Sequence, residues 1–257
     1  MAYDYEYLMN EVLKLTQIDL HAYKQNQMKR RIDALITKHK ISGYQEYIEV
    51  IKKDKEKYDE FVDYITINVS EFYRNPEQWK IMTTRVIPEM IQNFGKDLKI
   101  WSAACSTGDE PYSLVMALSE FLPLEKIKII ATDINDLVIE KAQIGLYGEK
   151  SIAGVPEKYK KEYFTKNGNF YQISDKIKKC VTFKEHNLLK DPFIDGCHMI
   201  VCRNVLIYFT EEAKDEVFEK FYKSLKDKGV LFIGSTEQIM HYRDIGYNRL
   251  DSFFYQK

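Results

Sequence analysis

Apolar positions in the first seventy residues recur at helical spacing. Tyr5, Leu8, Met9, Val12 and Leu13 form one stripe, and Met28, Ile32, Leu35 and Ile36 a second. Tyr44, Tyr47, Ile48 and Ile51 form a third, and Tyr58, Phe61, Val62 and Ile65 a fourth. Ser42-Gly43 separates the second stripe from the third. The pattern predicts four short amphipathic helices and a small all-α domain over residues 1–70. A connecting segment follows over 71–96. There Asn75 is placed to cap a helix and Pro76 to open it; the helix continues from Trp79 to Phe94 and stops at Gly95.

The pattern then changes. Leu98–Trp101, Ile127–Ile130 and His198–Cys202 are short, nearly unbroken apolar runs, as expected of parallel strands buried on both faces. Helical stripes lie between and after them: Leu114, Val115, Ala117 and Leu118; Val138, Ile139 and Ala142; Val217, Phe218, Phe221 and Leu225. Gly229 is expected to end the last of these helices, Val230–Gly234 to form a strand, and Phe253–Tyr255 to form an antiparallel edge strand. Residues 97–257 thus read as an α/β domain. Residues 145–185 interrupt its alternation. Tyr147-Gly148 and Gly154-Val155-Pro156 read as loops, 156–164 as a short helix, and Asn167-Gly168-Asn169 as a turn. Phe170–Ile173 and Ile177–Phe183 alternate like a hairpin turning at Ser174-Asp175-Lys176, which predicts a small antiparallel β insertion at residues 165–184.

The stretch Ile100-Trp-Ser-Ala-Ala-Cys-Ser-Thr-Gly-Asp-Glu-Pro-Tyr-Ser113 is a strand end, a loop of very small residues and a helix start. Small side chains let a ligand approach the backbone, and Gly108 permits positive φ. This is the first crossover of a nucleotide-type α/β fold. It is not the dinucleotide fingerprint, which needs three glycines where this loop has one. Asp109 and Glu110 would repel a phosphate at the helix N-terminus. The ligand implied is an adenosyl compound without a pyrophosphate and with positive charge, and S-adenosylmethionine fits. Asp133 ends the next strand, about 20 residues on, where an acid serves either ribose hydroxyls or the cap of the following helix.

Composition narrows the field. Net charge is −1, so there is no global basic field of the kind nucleic-acid binders use. No basic-then-apolar leader is evident, and no apolar run approaches the ~20 residues that span a bilayer. Cys105, Cys180, Cys197 and Cys202 lie among apolar neighbours and read as reduced and buried. Cys197, His198 and Cys202 do not make a metal set, because strand alternation separates them. The second helix is locally basic: Lys24, Lys29, Arg30, Arg31, Lys38 and Lys40 stand against Asp33. Lys24, Arg31 and Lys38 recur every seven residues in one stripe, either a solvated face or a dock for an acidic partner.

Several motifs, in order, resemble the CheR-type chemoreceptor glutamate methyltransferases over nearly the whole chain. They are Asn68-x-Ser70-x-Phe72-Tyr73-Arg74, the Ser102–Ser113 loop, the Asp133 strand end, Asn187-Leu188-Leu189, and Cys202-Arg-Asn-Val-x-Ile-Tyr-Phe209. The resemblance implies a class I S-adenosylmethionine-dependent methyltransferase fold, a Rossmann-like mixed sheet, with an all-α receptor-docking domain and a β-subdomain. It implies that Asn68, Ser70, Arg74, Glu110, Asp133, Asn187, Leu188, Arg203 and Asn204 line the S-adenosylmethionine site, with S-adenosylhomocysteine as product and no metal. Arg74 and Tyr208 are the positions that similar proteins set against the substrate glutamate. The partner implied is the cytoplasmic helical region of membrane chemoreceptors, met by Lys24, Arg31 and Lys38; a bacterial, cytoplasmic monomer without nucleic-acid binding or membrane insertion is expected. Ser70 stands where threonine is common, and Asp109 where glutamate is frequent. The short turn near Ser174 leaves receptor-peptide docking by the β-subdomain an open expectation. A nucleic-acid or small-molecule methyltransferase, or a receptor-binding adaptor that keeps the cofactor pocket, are the alternatives.

Overall fold

The computed structural model describes residues 4–257; Met1–Tyr3, counted above with the helical domain, lie outside the described residues. The chain separates into two compact units. One holds the residues up to Asn68 together with Ile207–Glu216, and the other Val69–Leu206 with Val217–Lys257.

The first unit contains α1 (Tyr5–Thr16), α2 (Gln25–Lys38), α3 (Tyr44–Lys53) and α4 (Lys55–Ile65). Its core is built from the predicted stripes: Leu8, Val12, Ile32, Tyr47, Ile48 and Phe61 are fully or almost fully buried. Asp4 caps α1 by accepting from the Tyr7 N–H, and Asp54 caps α4 by accepting from Glu56 and Lys57. The segment 207–216 is laced to the turn before α2. Lys24 N–H donates to the Tyr208 carbonyl at 2.8 Å and Thr210 N–H to the Ala22 carbonyl at 2.9 Å, and Tyr23 bridges Phe209 with their rings 4.8 Å apart.

In the second unit the connecting helix is two pieces, α5 (Pro76–Ile81) and α6 (Ile87–Phe94), joined by a π-helical stretch over Met82–Val86. Ile87 N–H reaches back to the Met82 carbonyl, one residue further than in an α-helix, just ahead of Pro88, which has no N–H to give. Then follow β1 (Ile100–Ala103), α7 (Asp109–Leu118), β2 (Ile129–Asp133), α8 (Asp136–Ile144), β3 (Leu146–Gly148), α9 (Glu157–Tyr163), β4 (Phe164–Asn167), β5 (Phe170–Ile173), α10 (Asp175–Lys178) and β6 (Val181–Glu185). The chain ends with β7 (Cys197–Cys202), α11 (Glu211–Ser224), β8 (Leu225–Ile233), α12 (Tyr242–Ile245), β9 (Asn248–Asp251) and β10 (Phe254–Gln256).

The main sheet runs β6-β2-β1-β7-β8-β10-β9. Its first five strands are mutually parallel; β10 runs antiparallel to both its neighbours, β8 and β9, so β9 again runs with the first five, the mixed sheet that the resemblance implies. The connection from β1 leads to β2 on one side and β7 flanks β1 on the other, so the strand order reverses between β1 and β7. Such a switch point opens a crevice at the strand carboxyl ends. The register is exact about the site: Ala103 stands opposite both Thr132 and Cys202. Ala104, Asp133 and Arg203, the next residue on each strand, therefore leave the sheet at one level. Among the described residues no helix is long and apolar enough to cross a membrane. The four cysteines are free and buried.

Several expected elements are corrected. Phe170–Ile173 does not pair with 177–183. It pairs with Phe164–Asn167 on one side, turning at Gly168 (φ 60°), and with Leu146–Gly148 on the other. Ser174 caps α10 instead of turning a hairpin, and Val181–Glu185 joins the main sheet beside β2. Tyr147-Gly148 is strand rather than loop. α11 stops at Ser224, not Gly229, which stands where the β7–β8 register shifts. A Cβ on Gly229 would lie 2.7 Å from the Lys226 carbonyl. β10 is not the edge, because β9 covers it.

Candidate active site

The loop from β1 to α7 reverses sharply, with positive φ at Ala104 (58°), Ser106 (47°) and Gly108 (86°). At Gly108 a side chain is excluded as well, since a Cβ would lie 2.8 Å from that of Ala142. β2 holds the loop in place: Cys105 N–H donates to the Thr132 carbonyl and Ser106 N–H to Asp133 Oδ2, each at 2.8 Å. Asp133 Oδ1 accepts from Asn135 N–H at 3.1 Å. Burial pushes the Asp133 carboxyl up, against the pull of these N–H donors. Asp133 is therefore first an organiser of the loop. The cap of α8 falls to Asn135, which accepts from Leu137 N–H.

A cleft opens over this loop, lined by Val69, Ser70, Glu71 and Arg74, by Ala104–Ser106, and by Glu110, Arg203 and Asn204. Glu110, in the first turn of α7, accepts from Ser102 Oγ at 2.9 Å and lies 3.5 Å from Arg203 Nη1. Burial raises its carboxyl; the Arg203 charge opposes the rise. Arg203 leaves β7 almost wholly buried. Its Nη2 donates to the Arg74 carbonyl (2.8 Å), Asn75 Oδ1 (3.0 Å) and Gln78 Oε1 (2.8 Å), and its guanidinium lies 4.7 Å from the Phe232 ring centroid. The Asn75 side chain therefore does not cap α5 as expected; Asn75 sits at φ 61° and gives its oxygen to Arg203. Arg74 itself is half-buried, with Nη1 on the Val69 carbonyl at 3.2 Å.

Of the residues expected to hold cofactor, Ser70, Arg74, Glu110, Arg203 and Asn204 line this one cleft, and Asp133 holds its floor. Asn187 and Leu188 are not in that lining. Both are buried in the turn after β6, where Asn187 Oδ1 accepts from Leu189 N–H and the Asn187 N–H donates to Asp191. Asn68 belongs to the helical unit, where its amide closes the end of α4 on Asp63 and Thr66. Tyr208 also belongs there, fixed through its carbonyl on Lys24. In the basic stripe, Arg31 donates to the Tyr64 carbonyl at 2.5 Å with its guanidinium 4.4 Å from the Tyr64 ring, and Lys38 pairs with Glu60 at 2.7 Å. Lys24 and Arg30 are exposed, and Arg30 has no ion pair among the described residues.

Two acids outside the expected set prove central. Asp109 is fully buried and accepts from Thr107 Oγ1 at 2.5 Å, from Ser151 Oγ and from Ser70. Its place beside Glu110 in the Ser102–Ser113 motif, with Thr107 two residues before it, marks it in the sequence. Glu237 is buried against the turn after β7; a glycine-x-x-acid run at a strand end, Gly234-Ser-Thr-Glu237, marks it in the sequence.

The cleft suits the sulfonium cofactor expected from the sequence. It offers carboxylates rather than a phosphate cradle, and two lining residues, Ser106 (Oγ) and Arg203 (Nε), keep a buried polar atom unpartnered. A polar ligand would satisfy such groups. Among the described residues no acid, histidine and cysteine cluster suited to a metal occurs.

Comparison with known proteins agrees. The family model described as "CheR methyltransferase, SAM binding domain" matches residues 68–249, and "CheR methyltransferase, all-alpha domain" matches residues 3–66. A chemotaxis protein methyltransferase of Listeria monocytogenes is 41% identical over 254 residues, covering 99% of this chain and 97% of that protein. One of Borreliella burgdorferi is 31% identical over 243 residues, covering 90% and 86%. Chemotaxis protein methyltransferase 1 of Pseudomonas aeruginosa is 31% identical over 252 residues, covering 94% and 92%. With a switch-point cleft of this composition and matches that run nearly end to end, the chain belongs to the CheR methyltransferase family and is an S-adenosylmethionine-dependent methyltransferase.

Proposed function

We propose that this enzyme, acting in chemotaxis, methylates glutamate side chains of membrane chemoreceptors in the cytoplasm, giving methyl esters. One observation carries the reading: the cleft joins a largely buried acid, Glu110, to two arginines, Arg203 and Arg74, and none of the described residues lining it is a histidine or lysine base suited to stripping a proton from an acceptor. A glutamate acceptor needs none, since its pKa of about 4.3 leaves it ionised at neutral pH. Bound in the cleft, S-adenosylmethionine supplies an electrophilic methyl group.

The chain's own residues do the rest. Glu110 and Arg203 compensate one another's charge and fix the cleft wall, while Ser70 and Asn204 flank it. Arg74 offers a forked donor for the acceptor carboxylate, and the family resemblance makes Tyr208 the second candidate for that role. Their contribution is alignment with water excluded, for which ~7–11 kcal/mol is available when two reactants are well oriented. Too tight a grip by Arg74 would stabilise the ground state as much as the transition state, so orientation is what matters. The receptor itself meets the exposed basic charges of the helical unit, chiefly Lys24 and Arg30, since Lys38 is paired with Glu60.

The test uses methyl-labelled cofactor and receptor-bearing membranes, followed by alkali. Glutamate esters release labelled methanol, whereas N-methyl products keep their label. Arg74→Ala and Tyr208→Phe are expected to lower kcat about 100-fold or more with the fold intact, the scale of a lost orienting contact. Labelled product stable to alkali, or two fully active variants, would refute the assignment.

A further inference from the structure

We propose that Glu237 is a positioning residue for the cofactor site, the anion around which the turn carrying Arg203 and Asn204 is wound. Its Oε2 accepts from Asn204 N–H at 2.9 Å and from Gly234 N–H at 2.7 Å; its Oε1 accepts from Val205 at 3.1 Å and Leu206 at 2.9 Å. Three successive backbone N–H groups thus converge on one carboxylate, an anion nest within the fold. The side chain is 4% exposed. Asn204, the first residue of the nest and a lining residue of the cleft, sits at φ 62°, a conformation that needs outside support in a non-glycine residue. The end of β8 is shaped to admit the carboxylate. A Cβ on Gly234 would lie 2.6 Å from Glu237 Oε2 and 2.8 Å from the Asn204 nitrogen.

Charge points the same way. Glu110 and Glu237 both act on Arg203, each favouring its charged form against the cost of burial. Glu237 touches the turn through backbone N–H groups, and Arg203 is carried on the residue before it, so Glu237 acts on the cleft through the chain it holds and not by contact with a ligand. Its loss leaves three consecutive N–H groups of the turn without an acceptor and frees Asn204 to leave its strained conformation.

The inference rests on the reading that Arg203 and Asn204 wall the cofactor site, and the experiment separates the two. Binding of S-adenosylhomocysteine is measured by calorimetry on full-length Glu237→Gln, Glu237→Asp, Gly234→Ala and Asn204→Ala, with the fold checked by circular dichroism. Backbone amide exchange is followed at residues 204–206. Glu237→Gln turns an N–H donor toward two N–H groups, and Gly234→Ala forces the carboxylate off Asn204 without altering charge. Each is expected to weaken binding about tenfold, the scale of one lost charged hydrogen bond, and to speed exchange at 204–206 while the sheet stays protected. Glu237→Asp, one methylene short, should behave likewise. If Asn204→Ala weakens binding while folded Gly234→Ala and Glu237→Gln bind as the parent does, the positioning role is overturned. If Asn204→Ala also binds normally, the site reading itself fails. Should Glu237→Gln not fold, Gly234→Ala decides: normal affinity with normal exchange at 204–206 rejects the proposal, and loss of both supports it.

Discussion

At the scale of single residues, Asp109 is a buried acid held by the protein's own hydroxyls. It is buried without a cation and accepts from the hydroxyls of Thr107, Ser151 and Ser70, so it ties the β1–α7 loop to the turn after β3 and to the segment before α5. Burial pushes its carboxyl above the ordinary 3.8. The sign follows from linkage: a raised acid holds its proton more firmly in the folded protein. Its ionisation therefore weakens folding as pH rises from its unfolded value through its folded one. Asp109→Asn removes that penalty and keeps an acceptor oxygen. We expect its thermal midpoint at pH 7 to equal or exceed that of the parent, with a flatter pH dependence between pH 4 and 7. Asp109→Ala strands hydroxyls and should cost about 1–3 kcal/mol. Thermal unfolding at several pH values checks both; an Asn variant as damaged as the Ala variant would mean the charge itself is required. Little of this was legible in the sequence. Asp109 and Glu110 are adjacent acids at one helix start, and which of them lines the cleft depends on the direction each takes off α7. Motifs marked Glu110, Arg203 and Asn204, which meet in the cleft; they marked Asn187 as well, which closes its own turn outside that lining.

Individual elements explain which predictions held. The β1–α7 crossover was readable because its signals are local: an apolar run, then residues too small to pack, then Pro111 in the first helical turn. The insertion was misread because alternation shows that a strand has two faces and says nothing about which strand it joins. Phe170–Ile173 is extended as expected, but Asn167-Gly168 supplies the turn, and the buried Ile177, within α10, and Cys180, just after it, mimic strand alternation. α2 offers a similar contrast. A seven-residue period put Lys24, Arg31 and Lys38 on one stripe, yet Arg31 spends its guanidinium on Tyr64 of α4. Arg31→Ala should therefore cost about 1–2 kcal/mol through the lost stacking and hydrogen bond, with little effect on receptor encounter. Arg31→Lys should recover only part of it, because a lysine has no planar fork to stack. Chemical denaturation measures the loss; a neutral Arg31→Ala would return Arg31 to the docking face.

On the scale of the whole molecule, the charge that matters is local. A net charge of −1 gives no long-range field, so the attraction to an acidic helical receptor that we propose would have to come from a patch. Lys24, just before α2, and Arg30 within it are exposed and little engaged within their own unit: Lys24 acts on Glu211 at a distance, and Arg30 has no ion pair among the described residues. Lys29 and Lys38, by contrast, are paired to Asp33 and Glu60. Rim charges of this kind raise the rate of encounter more than they hold the complex. Reversing both residues, Lys24→Glu with Arg30→Glu, should lower kcat/KM on intact receptor about tenfold at low ionic strength, with kcat at saturating receptor and cofactor affinity unchanged. The deficit should shrink as salt rises, since at about 1 M the screening length is only ~3 Å and exposed charges no longer act at range. Methylation rates across a salt series decide it. A loss of the same size at every salt concentration would point to a direct contact instead of steering, and no loss at any concentration would remove α2 from receptor recognition.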